Sequence, residues 1–159
     1  MTEDLRHAVA IDANQVTPRT GSGYPAPFAA RVASRERRAL GDVFGLQGFG
    51  VNLSRLPPGT ASALRHWHTH EDEFVYVLDG TPTLVTNAGE TLLGPGMCAG
   101  FRADNGDGHH LVNRSDADVV YLEIGGREAG DALTYPDDDL AGRTVDSQWR
   151  YFHTDGQPY

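Results

Sequence analysis

Short hydrophobic runs separated by turn residues dominate the middle of the chain, between residues 49 and 126. The runs are rich in valine, leucine, phenylalanine and tyrosine, and glycine, proline, asparagine or aspartate bounds each of them. This pattern is typical of β-strands, and no helical period competes with it. The predicted strands are Phe49–Leu56, Ala63–His68, Glu73–Asp79, Thr83–Thr86, Glu90–Leu93, Met97–Phe101, His109–Asn113 and Val119–Ile124. Their spacing of roughly 8 to 12 residues predicts an all-β sandwich or barrel.

The segments on either side of this region differ from it in composition. Residues 1–48 contain spaced prolines and a cluster of arginines, and we interpret them as an N-terminal arm that packs on the barrel. Within this arm, residues 29–38 could form a short helix. Residues 127–159 are interpreted as a C-terminal tail, with a solvated acidic loop at 137–139 and an aromatic run at 149–153 that packs on the barrel or across a dimer. The whole chain, at 159 residues, is expected to form a single domain.

Composition and charge narrow the classes of function. The formal net charge is −9, which argues against nucleic acid or an anionic membrane as a partner. All 13 basic residues are arginines, so a lysine Schiff base is excluded. The polar, acidic start of the chain lacks the features of a secretory signal, and no apolar stretch is long enough to span a membrane. We therefore expect a cytoplasmic protein.

The strongest chemical signal is a group of histidines followed by a carboxylate. His66 and His68 are two residues apart, and in a strand such positions point to the same face. Glu73 opens the next predicted strand after a short turn, so its carboxylate can face the same interior. The single cysteine, Cys98, cannot supply a multi-thiolate site. Imidazole and carboxylate donors together suit a divalent transition metal such as Fe, Mn, Ni, Co or Zn.

If the site is to connect different strands of a barrel, a fourth ligand must come from a strand that is distant in sequence. Both His109 and His110 are candidates from the pattern alone. Three imidazoles and one carboxylate would leave two adjacent positions of an octahedral ion open for a substrate. The alternative is a barrel without metal, in which hydrogen bonds satisfy the histidines.

The spacing of these residues resembles the first motif of the cupin superfamily. That motif runs Gly, five residues, His-X-His, three or four residues, Glu, six residues, Gly. Here Gly59 is followed by six residues, then by the His66 and His68 pair, four residues, Glu73, six residues and Gly80. The one departure is a single extra residue before the first histidine.

A second, looser stretch resembles the second cupin motif. It starts at Gly96 and closes with His109, three residues and Asn113, while Arg102 stands where the family has proline. About two extra residues precede the histidine. The resemblance covers roughly residues 49–126, and it implies an antiparallel double-stranded β-helix with N-terminal arm and C-terminal tail. The metal ligands that it implies are His66, His68, Glu73 and His109.

Two functions follow as hypotheses. The first is a metalloenzyme, of the dioxygenase, sugar-phosphate isomerase-like or lyase type, which acts on a small oxygen-rich or anionic metabolite. The second is a non-catalytic binding or sensor protein with a structural metal. A homodimer is expected in either case. The candidates for lining the pocket or holding an anionic substrate are Tyr76, Glu123, Arg102, Arg55 and Arg65.

Overall fold

The structure is a computed structural model that describes residues 9–159. The first eight residues, on which the expectation about a secretory signal depends, lie outside the described residues. Within residues 9–48 there are two short helices, α1 (Ala26–Ala29) and α2 (Leu40–Val43), and two 3-10 turns. The strands are β1 (Glu36–Ala39), β2 (Phe49–Leu56), β3 (Trp67–His68), β4 (Glu73–Asp79), β5 (Thr83–Thr86), β6 (Gly89–Leu92), β7 (Cys98–Phe101), β8 (His110–Val112), β9 (Val119–Gly126), β10 (Ala132–Tyr135), β11 (Leu140–Val145) and β12 (Gln148–Phe152).

Two walls of antiparallel strands enclose the interior. One wall is a five-stranded sheet in the order β1-β2-β9-β4-β7. The other combines a three-stranded sheet, β6-β5-β8, with a four-stranded sheet, β12-β11-β10-β3. Isolated bridges from Ala61 to Val112 and from His66 to His109 join these two smaller sheets. The all-β prediction and the antiparallel double-stranded β-helix are thereby confirmed.

The side chains on the inward face of the five-stranded sheet are apolar at one end of the interior and polar at the other. At one end Leu56, Val77 and Val119 are fully buried and form a core with five further residues. Towards the other end the same inward positions carry polar or small residues, including Asn52 and Glu123, which face each other across β2 and β9. Because side chains alternate along a strand, one strand can serve both the core and a cavity.

The flanking segments contain more regular structure than the sequence predicts. By sequence, residues 29–38 could form a short helix, but a 3-10 turn follows α1 and the chain then enters β1, which pairs with β2. No strand was predicted after residue 126, whereas β10, β11 and β12 extend the second wall. Pairing with existing strands decides these conformations, since tertiary context overrides weak local propensity.

The tail is held against the body by aromatic packing and by ion pairs. Tyr135 and Leu140 are buried in a second small core with Leu64. The acidic run at 137–139, predicted to be a solvated loop, instead places Asp137 against Arg65 at 2.7 Å, and Asp138 makes a similar contact with Arg31.

Within the described residues, no helix is both long enough and apolar enough to cross a membrane. Three large side chains of β4, Phe74, Tyr76 and Leu78, are exposed on the outer face of the five-stranded sheet. The homodimer stays a prediction, and this face offers apolar surface on which a partner could pack.

Candidate metal centre and its cavity

Three neighbouring segments bring the histidines and the glutamate together. The backbones of His66 and His109 pair through two hydrogen bonds, of 3.2 and 2.8 Å, so their side chains lie side by side. His68 belongs to β3, two residues further along the same face. Glu73 opens β4 on the opposite wall, where it pairs with Phe101 of β7. All four predicted ligand residues therefore reach one point at the polar end of the interior.

One carboxylate oxygen is the focus of this cluster. Glu73 Oε2 lies 2.8 Å from Nε2 of His109, 3.4 Å from Nε2 of His68 and 3.7 Å from Nε2 of His66. Donor atoms of His66, His68 and Glu73 all lie within 4.8 Å of one another. Between 9% and 16% of each of these four side chains is exposed. Most of the cluster is therefore shielded from water, with a small opening towards a cavity.

In two of the histidines, a hydrogen bond at Nδ1 orients the ring so that Nε2 faces the centre of the cluster. Nδ1 of His66 lies 2.7 Å from the backbone oxygen of Leu64, and Nδ1 of His68 lies 2.6 Å from a carboxylate oxygen of Asp131. Both oxygens can only accept, so Nδ1 carries the proton in each ring and the lone pair of neutral imidazole is on Nε2. This donor set fits a divalent transition metal, because ligating histidines usually donate from their other nitrogen in this way.

The sequence pattern allowed either His109 or His110 as the fourth ligand, and the structure shows which of the two faces the cluster. His109 faces Glu73 and stacks on Phe101, with 3.5 Å between ring centroids and 2° between planes. Its Nδ1 is buried and has no hydrogen-bond partner among residues 9–159. In contrast, Nδ1 of His110 lies 2.9 Å from the backbone oxygen of Ala63. Of the two, only His109 contacts the carboxylate of the cluster.

Burial and neighbouring charges set the protonation of the histidines and of Glu73 in the cluster. Burial lowers the pKa of His66 to about 4, so this ring is neutral at pH 7. For His68, burial acts in the same direction, but the Glu73 and Asp131 carboxylates outweigh it and raise the pKa to about 9. Burial favours the neutral acid of Glu73, yet hydrogen bonds from His109 and His68 hold its pKa well below the usual value. A metal ion would therefore replace a proton on His68 when it binds.

The cluster opens into a cavity of about 580 Å³. Its walls carry arginines and tyrosines from both flanking segments, together with polar residues of β2 and β9. Tyr135 of β10 packs 5.8 Å from the ring of His66, and Tyr24 packs 5.7 Å from Tyr135. A space of this size, with a few convergent polar groups, suits a small-molecule ligand.

The structure brings only one of the three leading catalytic candidates into this cavity. Glu123 lines it and pairs with Arg37 at 3.3 Å. Tyr76 points to the outer face of β4, as strand parity predicts, and Arg102 lies beyond the end of β7, outside the cavity lining.

The other two arginines that were considered as anion ligands make ion pairs elsewhere. Arg55 bonds to Glu36 at 2.6 Å and to Asp118 at 2.5 Å. Arg65 bonds through two nitrogens to Asp137, each at 2.7 Å. Neither guanidinium is free for a ligand.

Asp131 is the residue of the cluster that the sequence did not reveal. It stands in the segment taken as a tail, and only the pairing of β10 with β3, opposite His68, places it there. Its second carboxylate oxygen accepts from the backbone amide of His70 at 2.9 Å. Since no motif spacing links Asp131 to the histidines, only the strand pairing could have identified it.

Replacing Asp131 with asparagine is expected to weaken metal binding by roughly 10- to 100-fold. Asparagine has one acceptor oxygen and one amide nitrogen, so it cannot accept from both His68 Nδ1 and the His70 amide, and it lacks the negative charge that stabilises the Nδ1 proton. Competition with a fluorescent chelator would measure the change. Asp139→Asn is the matched control, because Asp139 also lies 2.6 Å from a histidine Nδ1, that of His153, but on the surface. Equal metal affinity in both variants would contradict the role of Asp131.

Comparison with known proteins identifies the class to which this fold and cluster belong. The sequence profile of the cupin domain matches residues 52–125. A crystal structure from Silicibacter pomeroyi, described as a sugar phosphate isomerase from a cupin superfamily, has a TM-score of 0.90 at 40% identity. The match covers 94% of this chain and 96% of that one. The chain therefore belongs to the cupin superfamily, as the motif spacing predicted.

Further solved structures are similar over much of the chain. A putative sugar phosphate isomerase from Acidithiobacillus ferrooxidans has a TM-score of 0.72 at 30% identity, covering 80% of this chain and 81% of that one. A predicted oxalate decarboxylase from Thermotoga maritima, at 19% identity and a TM-score of 0.59, covers 76% of this chain and 100% of that one, and it shares the fold alone. No curated protein sequence matches the chain.

Proposed function

We propose that this protein is a metal-dependent enzyme that isomerises a small sugar phosphate or a closely related anionic, oxygen-rich metabolite. The observation that carries the proposal is the convergence of three imidazole Nε2 atoms on one oxygen of Glu73, at the edge of a ligand-sized cavity. Metal, substrate and acid–base groups could all meet there.

His66, His68, Glu73 and His109 would hold the ion. Nitrogen and carboxylate oxygen donors suit Fe, Mn, Ni, Co or Zn better than Ca or Mg. A bound ion would act as a Lewis acid towards a carbonyl or hydroxyl oxygen of the substrate. Four protein ligands would fill a tetrahedral zinc ion, whereas an ion that takes six ligands would keep positions for a substrate, so the proposed reaction favours Fe, Mn, Ni or Co over Zn.

The substrate class is supported from two sides. Two similar structures, at 40% and 30% identity, are described as a sugar phosphate isomerase and a putative one. In this chain, arginine and tyrosine side chains line the cavity beside the cluster, and these groups bind phosphate and hydroxyl oxygens well. Both considerations favour a phosphorylated polyhydroxy compound over an apolar ligand.

Glu123 is our candidate for proton transfer. Isomerisation of an aldose to a ketose moves a proton between neighbouring carbon atoms, so a group must accept that proton and return it. Glu123 lines the cavity, and Tyr121 Oη and Asn52 Nδ2 each donate a hydrogen bond to it at 3.4 Å. These contacts would hold its carboxylate in position beside the substrate.

Proton NMR in deuterated water would test the proposal. Metal-loaded protein is incubated with a panel of aldose and ketose phosphates, and interconversion or deuterium uptake at the carbon next to the carbonyl is followed. We expect turnover in the wild type and at least a roughly 100-fold loss in Glu123→Gln, with unchanged metal content. Binding without turnover or exchange across the panel would contradict isomerisation and support the non-catalytic alternative.

A further inference from the structure

Two arginines of the N-terminal segment point into the cavity. Arg35 and Arg37 flank the start of β1, and both line the cavity, as does Ala39. The intervening residues face outwards, where Glu36 pairs with Arg55 at 2.6 Å. The alternation of the strand therefore presents two guanidinium groups on the inner face.

Arg35 is the arginine of the cavity wall that makes no ion pair among the described residues. Arg37 pairs with Glu123, and the two remaining arginines of the cavity wall, Arg19 and Arg127, both pair with Asp42, at 3.6 and 2.5 Å. Within residues 9–159, Arg35 forms no ion pair, and its guanidinium donates only to the backbone oxygen of Ser62. An arginine keeps its proton, so a positive charge remains largely shielded from water without a carboxylate.

Two further observations indicate that these two arginines can bind an anion. Burial and the neighbouring Arg37 lower the pKa of Arg35, and the carboxylate of Glu123, which acts in the opposite direction, does not offset them. In addition, Nε of Arg37 is buried and has no hydrogen-bond partner among the described residues. Buried donors are nearly always satisfied in folded proteins, and an oxyanion placed between the two side chains could satisfy them.

Arg35 and Arg37 line the same cavity as the histidine cluster. Tyr24 lies close enough to Arg35 for the guanidinium charge to act on its hydroxyl, and Tyr135 links Tyr24 to His66 by ring contacts of 5.7 and 5.8 Å. A small ligand could therefore contact the cluster with one end and the arginines with the other.

We propose that Arg35 and Arg37 form an anion subsite that binds the phosphate group of the ligand, opposite the end that faces the histidines. The planar fork of a guanidinium matches two oxygens of a phosphate, and two adjacent forks can donate to the same phosphate group. This inference rests on the proposed ligand-binding role of the cavity and assigns the specificity for phosphate to the N-terminal segment. Arg35, which makes no ion pair among residues 9–159, would gain an anionic partner in the complex.

Calorimetric titration with inorganic phosphate, at constant ionic strength, would test the subsite. The protein is used as purified and again after chelation, so that phosphate bound to a metal ion is recognised. We expect phosphate to bind in both forms and Arg35→Gln or Arg37→Gln to weaken binding roughly tenfold or more. Arg114→Gln is the control, because Arg114 pairs with Glu90 on the surface. It should bind phosphate like the wild type.

Two further readouts keep the test decisive. Arg35→Lys, which keeps the charge but loses the fork, should bind phosphate with intermediate affinity, and circular dichroism would verify folding of every variant. Unchanged phosphate affinity in folded Arg35→Gln and Arg37→Gln, or no phosphate binding by the wild type, would overturn the inference. Phosphate binding without turnover of any sugar phosphate would instead contradict the proposed reaction and leave the subsite standing.

Discussion

Removing His66 and His68 together is expected to abolish metal binding and the stability that the metal provides. The double alanine variant loses two of the three imidazoles around Glu73, and the remaining donors cannot compete for a transition metal. A metal at 100 times its dissociation constant stabilises the native state by about 2.7 kcal/mol. For a chain of this size that is roughly 5 to 10 °C in the melting temperature. Elemental mass spectrometry and thermal melting would measure both effects.

The quantity to compare is the rise in melting temperature that added metal causes, measured separately in the wild type and in each variant. The substitutions also leave the carboxylate of Glu73 with fewer partners, so the metal-free double variant can differ in stability from the metal-free wild type. His110→Ala is the matched control, since His110 is adjacent in sequence to the cluster but bonds to a backbone oxygen. About one metal ion per chain in the double variant, or loss of metal in His110→Ala, would refute the assignment of ligands.

Substituting alanine for Gly80 is expected to destabilise the fold by about 3 kcal/mol or more. Gly80 directly follows β4 and has a φ of +78°, a conformation that costs an alanine about 1–2 kcal/mol. In addition, a Cβ atom would lie 2.5 Å from the backbone oxygen of Asp118 and 2.9 Å from Cα of Val119. Both neighbours are backbone atoms, so the turn or the start of β9 would have to move. Urea unfolding followed by circular dichroism would measure the loss.

Gly59→Ala separates the two causes. Gly59 has a nearly identical φ of +76°, but apart from its own chain neighbours no atom of residues 9–159 lies within 4 Å of its Cβ position. We expect it to cost only the conformational term of about 1–2 kcal/mol. Equal losses in the two variants would mean that the contact with Asp118 has no influence.

The central strands could be predicted because their patterns are local. The bounds of β2, β4 and β5 agree with the sequence prediction to the residue. The parity of His66 and His68 likewise follows from strand geometry alone, and it correctly placed both side chains on one inner face. A two-residue period is informative wherever one face is buried.

The flanking strands could not be predicted because their conformation depends on partners distant in sequence. The β1 segment has two arginines and a glutamate, a composition with no strand preference, and it is extended because it pairs with β2. In β11, Gly142 leaves the space that the ring of Trp149 occupies, since a Cβ there would lie 2.5 Å from Trp149 Cζ2. Only the three-dimensional pairing reveals such a fit. Asp131 and Arg35 were missed for the same reason.

The candidate ligands and the cavity wall come from different parts of the chain. The four candidate ligands lie between residues 66 and 109, within the profile-matched domain, whereas Arg35, Tyr135 and Tyr151 of the wall lie in the flanks. The flanks of a cupin could therefore vary, and with them the molecule that fits, while the four candidate ligands stay in place, provided that a carboxylate such as that of Asp131 remains beside His68. Two proteins with the same histidine motif can in this way act on unrelated compounds. If Arg35 and Arg37 form the proposed anion subsite, a sequence search for proteins with the same ligand should weigh positions 35 and 37 as heavily as the motif.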